Sequence, residues 1–155
     1  MTSENSFFMP QQQITSNIMV WFSFASLALL YSVMLLGVYI TASHQGLSCP
    51  DWPLCPNAFD FPPKKYFFEH FHRVMAVITG GFIFATAVYA VKNIKNSNSR
   101  KTAIVACIVV SIQILLGMLV VYTKLESLLV ASHLSIGVLL FAMVLMTLFL
   151  SISKK

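Results

Sequence analysis

The sequence predicts an all-α membrane protein, a bundle of four transmembrane helices. Of its 155 residues, 57% are hydrophobic and only 10% are charged, where a soluble domain carries about 25% charged residues. The mean hydropathy is +0.79. Four segments each exceed the roughly 18 apolar residues that cross about 30 Å of hydrocarbon. The basic residues lie mostly between and after those segments, where topology places them. That placement accounts for the net charge of +5 without a nucleic-acid partner, and the length suits one domain.

Residues 1–17 are largely polar and contain no Lys or Arg. They lack the basic start of a secretory signal peptide and are expected to form a mobile tail. The first apolar run, about 18–43, is expected to be an uncleaved signal-anchor helix. A long loop, 44–68, precedes the second helix at about 69–91. The third and fourth helices follow at about 102–123 and 127–152, with a short tail at 153–155. These runs are rich in Val, Ile and Thr, but in lipid each backbone must satisfy its own hydrogen bonds, so they are helices and not strands. Lys92, Lys95, Arg100 and Lys101 lie between helices two and three, and Lys154 and Lys155 end the chain. The positive-inside rule makes that side cytoplasmic, against Lys64, Lys65, Arg73 and Lys124 on the other. The chain is thus expected to be a multi-pass protein of the cell membrane with both termini cytoplasmic.

Ionisable residues inside apolar helices are costly and mark function by default. Glu69-His70-Phe71-His72-Arg73 opens the second helix, and His133 lies inside the fourth. At 1.5 Å per residue, His72 falls about 5 Å and His133 about 9 Å below the same outer face. Two histidines at matched depth on separate helices suit a haem iron held from both sides. Their other reading is polar bonding between helices. The haem reading places the site between helices two and four near the extracytoplasmic face.

A flat porphyrin needs small residues beside it. Ala76 and Gly80 follow His72 on one helical face, and Gly137 follows His133, although close helix packing explains the same glycines. Gly37 with His72, and Gly117 with His133, hint at a two-fold repeat whose first half contains the longer loop. Glu69 either complements the helix N-terminus or acts as a carboxylate one turn from His72, taking a proton or steadying developing charge. Arg73 either snorkels to headgroups or pairs with a haem propionate. His70 faces elsewhere and His44 lies in the loop. Cys49 and Cys55 sit in the outer loop at a spacing unlike the usual zinc patterns, which favours a disulfide and leaves Cys107 as a free thiol.

Gly46-Leu47-Ser48-Cys49-Pro50-Asp51-Trp52-Pro53-Leu54-Cys55 followed by Glu69-x-x-His72-Arg73 resembles the heme A synthase family of cytochrome oxidase assembly enzymes. Gln113-x-x-Leu116-Gly117-x-x-x-Val121 and His133-Leu134 resemble its third and fourth helices, so the likeness covers about residues 37 to 137. The resemblance implies an oxidoreductase that converts a methyl group of haem O to a formyl group by successive hydroxylations. It implies that Glu69 is catalytic, that His72 and His133 ligate haem iron, and that Cys49 and Cys55 form a disulfide. Haem O as substrate, haem b as cofactor, or both are the implied haems, with haem O synthase or terminal oxidase subunits as partners.

The usual member of that family has eight spanning helices in two related halves. Four helices resemble the half-size, archaeal-type members, which implies either a homo-oligomer or a protein that does without the second site. Where family members often carry Arg before the cysteine loop, this chain has Thr41, leaving Arg73, Lys64 or Lys65 to meet a propionate. The competing reading is a non-enzymatic bis-histidine haem b protein for electron transfer or haem delivery. A carboxylate one turn from an axial ligand favours the enzyme.

Overall fold

The computed structural model describes residues 5–53, 55–56 and 60–153, with side chains from Asn17 onward. Lys154 and Lys155, used above for topology, lie outside the described residues, as do Leu54 and residues 57–59 of the first loop. Four helices follow one another: α1 (Asn5–Ala42), α2 (Phe67–Asn93), α3 (Ser97–Tyr122) and α4 (Ser127–Ile152), with a 3₁₀ turn over Lys64–Tyr66 before α2. No strand occurs among the described residues. All four helices are long and apolar enough to cross a membrane, and the chain is a multi-pass membrane protein.

The helices outrun the apolar segments that predict them. α1 is helical from Asn5, whereas the sequence reading has a mobile tail to residue 17. Once the apolar part has nucleated a helix, each added residue gains a hydrogen bond without a new nucleation cost, so the polar residues continue the helix. α3 starts at Ser97, not near residue 102, because Asn96 caps it: the Asn98 N–H donates to Asn96 Oδ1 at 3.2 Å. α4 starts at Ser127, where Glu126 accepts from the Leu129 N–H at 2.9 Å. α2 begins at Phe67, two residues before Glu69.

Around the bundle α1 packs on α2 and α4, and α3 packs on the same two, so α2 and α4 stand diagonally opposed. The main core joins Leu30, Ile83, Ala106, Val109, Val110, Leu140 and Val144. Nearer the α2–α3 turn, Met19, Ala87, Ala90 and Ala103 form a second cluster. Small residues there bring the backbones close, and buried hydroxyls pair across helices: Ser26 with Thr86 at 3.1 Å, and Ser99 with Ser151 at 3.3 Å.

Packing is uneven along the bundle axis. In α3 every buried residue lies between Ser99 and Val110, and in α4 every one lies from Gly137 onward. At the end that carries both histidines the buried residues belong to α1, α2 and the first loop: Ile40, Cys49, Cys55 and Glu69. The first loop and the tight α3–α4 turn cover that end. Lys124 and Leu125 adopt left-handed backbone (φ 55° and 65°), a conformation costly for a leucine. It lets their N–H groups cap the Val121 and Val120 carbonyls at the end of α3. The Leu125 side chain rests against Gly46, where a Cβ would stand 3.2 Å from Leu125 Cδ2. Gly46 thereby ties the two covering segments together.

Candidate functional site

His72 lies five residues into α2 and His133 six residues into α4, or about 7.5 Å and 9 Å along parallel helices from the same end. The earlier start of α2 brings the two depths closer than the sequence spacing suggests. The imidazoles are near enough to interact electrostatically.

Each ring has the same seat. A Cβ on Gly37 of α1 would stand 3.1 Å from His72 Cε1, and a Cβ on Gly117 of α3 would stand 3.3 Å from His133 Cε1. The carbonyl of Val33, four residues before Gly37, lies beside the His72 ring. The carbonyl of Gln113, four residues before Gly117, lies beside the His133 ring. In a helix the carbonyl at i−4 bonds to the N–H of residue i, so a glycine at i uncovers it. The hint of a repeat in the sequence therefore corresponds to a repeated contact. Gly80 and Gly137 have other neighbours: Gly80 faces Ile114 at an ordinary 3.7 Å, and Gly137 makes room for the Gln113 amide at 3.2 Å.

Gln113 adds a contact that has no counterpart at His72. Its Nε2 donates to the His133 carbonyl at 2.9 Å and lies 3.4 Å from His133 Nε2. Nδ1 of both histidines and Oε1 of Gln113 are buried without a hydrogen bond of good geometry. Buried polar atoms are rarely left so. A metal-bound imidazole holds its second ring nitrogen on a carbonyl or carboxylate, and the Val33 and Gln113 carbonyls stand where that support is needed. The donor set and the shared depth fit an iron-bearing group held by one histidine of α2 and one of α4.

At the rim Glu69 is 4% exposed. Its Oε2 accepts from the Ser48 hydroxyl and the Cys49 N–H, both at 2.8 Å, and its Oε1 accepts from Arg73 at 2.6 Å. Arg73 also donates to the carbonyls of Cys49 (3.1 Å), Asp51 and Pro53 (3.5 Å). Cys49 and Cys55 are bonded through their sulfurs, with Cα atoms 5.1 Å apart. The pair on α2 thus holds the cysteine loop over the histidine end, with His72 between its members in sequence. The residues brought together are Glu69, His72, Arg73, His133 and the cysteine loop. His44 and Lys124 are exposed on covering segments, and Cys107 lies toward the other end of the bundle.

With side chains only 12% and 6% exposed, Arg73 and Glu69 count as a buried pair, so removing one partner is costly. Arg73→Gln is expected to lower stability by about 3 kcal/mol and to speed reduction of the Cys49–Cys55 bond by an added thiol. Thermal melts and timed thiol labelling check both, and an unchanged labelling rate would mean that the loop does not depend on Arg73.

Sequence reasoning missed Ser48 as a partner of Glu69 and the Val33 carbonyl as a partner of His72. Gln113 stood out as one uncharged amide in an apolar helix, a signal that could have pointed to His133.

A sequence model of the cytochrome oxidase assembly protein family matches residues 58–155. The Heme A synthase of Lysinibacillus sphaericus is 31% identical over 127 residues, covering 79% of this chain and 41% of that protein. The Heme A synthase of Bacillus licheniformis is 28% identical over 99 residues, covering 62% and 33%. A Protoheme IX farnesyltransferase of Haloarcula marismortui is 27% identical over 111 residues, covering 72% and 24%. The chain spans less than half the length of these curated relatives. Because the family match takes in more than half of its residues, with Glu69, His72, Arg73 and His133 among them, the chain belongs to the heme A synthase family of cytochrome oxidase assembly proteins.

Proposed function

We propose that this chain is a membrane oxidoreductase of the heme A synthase type, oxidising a methyl group of haem O to a formyl group. The observation that supports this reading best is the pair of matched imidazole seats on diagonal helices with a buried carboxylate one turn from His72. When bound, the haem supplies a redox-active iron. His72 and His133 would hold that iron, each ring steadied by its glycine and carbonyl. Glu69, whose Oε2 lies next to the Ser48 hydroxyl, would be the group that takes up a proton in that reaction. Arg73 keeps that carboxylate aimed and lies near enough to the mouth to meet a propionate, with Lys64 and Lys65 exposed nearby.

The histidine end faces the extracytoplasmic side, and the α2–α3 turn with Lys92, Lys95, Arg100 and Lys101 faces the cytoplasm. A disulfide in the outer loop suits that compartment. Copies of the chain pair as a homo-oligomer. Similarity to a protein named as a protoheme farnesyltransferase supports haem O arriving from such an enzyme, with a terminal oxidase receiving the product.

Co-expression with a source of haem O, followed by extraction and chromatography of the haems, tests the reaction. Haem A is the expected product, whereas unchanged haem O beside bound haem b would leave the electron-transfer or delivery reading. The glycine seats give a second expectation. Gly37→Ala places a methyl 3.1 Å from the His72 ring and is expected to reduce the bound haem severalfold. Gly81→Ala meets nothing within 4 Å and is expected to leave haem content alone while stabilising α2 by about 0.5–1 kcal/mol. Haem absorbance per protein and a melting curve read the two together; equal haem loss in both variants would rule out the seat.

A further inference from the structure

Away from the histidines, α2 and α3 leave an apolar groove on the bundle surface near their connecting turn. It has a volume of about 340 Å³ and is lined by Ala87, Val88, Val91, Lys92, Ile104, Cys107 and Ile108. Six of the seven are uncharged, and the charged one, Lys92, sits in the last turn of α2. On the other wall Lys101, Ile104 and Ile108 fall at i, i+3 and i+7, one face of α3. Lys92 and Lys101 are both exposed. The groove is thus apolar along its length and carries a cation on each helix toward the end where α2 finishes and α3 begins. Lys95 and Arg100 add charge around the same turn, and no carboxylate lies between Arg73 and Glu126 to offset them.

We propose that this groove is a selective site for one anionic phospholipid, with an acyl chain along Val88, Val91, Ile104 and Ile108 and the phosphate between Lys92 and Lys101. Hydrocarbon alone would fill the groove with any lipid, so selectivity comes from the lysines. A basic residue near the surface contributes about 1 kcal/mol toward an anionic headgroup, or about fivefold in affinity. At the start of α3 the Ser97 and Ser99 N–H groups also lack helical carbonyl partners, the Asn98 N–H being capped by Asn96, which favours a phosphate at that end. The site is separate from the histidine end and does not depend on the chemistry proposed there.

The full chain, purified in detergent with an equimolar mixture of phosphatidylglycerol and phosphatidylcholine, gives the test by native mass spectrometry. The wild type is expected to retain one phosphatidylglycerol in preference to phosphatidylcholine. Lys92→Gln and Lys101→Gln are each expected to lower that preference about fivefold. Ile108→Trp, which keeps both lysines and fills the groove, is expected to lower retention of the lipid by a similar factor. Helical circular dichroism and a single elution peak establish that each variant is folded. Equal retention of the two lipids by the wild type would overturn the proposal. So would undiminished phosphatidylglycerol retention by folded Ile108→Trp, because the lipid would then be held by surface charge alone.

Discussion

Glu69→Gln is expected to slow haem A formation by about 10²- to 10⁴-fold, the range for loss of a positioned proton acceptor, while bound haem keeps its low-spin spectrum. The substitution is nearly isosteric. The Gln carbonyl oxygen can still accept from Ser48 and the Cys49 N–H, so the loop keeps two of its tethers to α2. It loses the charge-assisted bond from Arg73 at 2.6 Å and the ability to take up a proton. Ser48→Ala separates the two contributions. It leaves the carboxylate with its Cys49 and Arg73 partners and removes one hydrogen bond to a charged group, a contribution of about 1.5–3 kcal/mol. The rate in Ser48→Ala is expected to fall by less than in Glu69→Gln. Timed chromatography of extracted haems reads both. Wild-type turnover in Glu69→Gln would reduce Glu69 to a clasp for the cysteine loop.

His72→Ala and His133→Ala are each expected to abolish the six-coordinate low-spin spectrum, leaving iron with a single protein ligand. Among the described residues no group of three or more His, Cys, Asp or Glu side chains stands together that could hold a metal ion. His44 is exposed on the covering loop. Truncation to alanine opens an imidazole-sized space against Gly37 or Gly117, so added imidazole is expected to restore a low-spin spectrum. A histidine that served only as a bond between helices would give no such recovery. Either variant retaining the low-spin spectrum without added imidazole would remove that residue from the ligand set.

The four helices were legible because each apolar run alone is long enough to cross a bilayer, and in lipid only a helix satisfies such a run. Their ends were less so. Hydropathy marks where the chain enters hydrocarbon, and Asn96 caps α3 well before that point. The histidines, Glu69 and Arg73 stood out as ionisable groups in or beside apolar helices. Their partners did not. That Glu69 meets Ser48 depends on how the cysteine loop folds back over α2, which no periodicity encodes. The roles of Gly37 and Gly117 depend on which face α1 turns to α2, and α3 to α4. Glycine spacing within one helix pointed instead to Gly80 and Gly137, whose neighbours are Ile114 and Gln113.

The central claim is that His72 and His133 grip one haem between α2 and α4. Electron paramagnetic resonance of the purified chain with its haem, together with haem and protein quantitation, tests it most directly. The account predicts a low-spin bis-imidazole signal at one haem per chain. A high-spin signal, or two haems per chain each with one histidine, would contradict it.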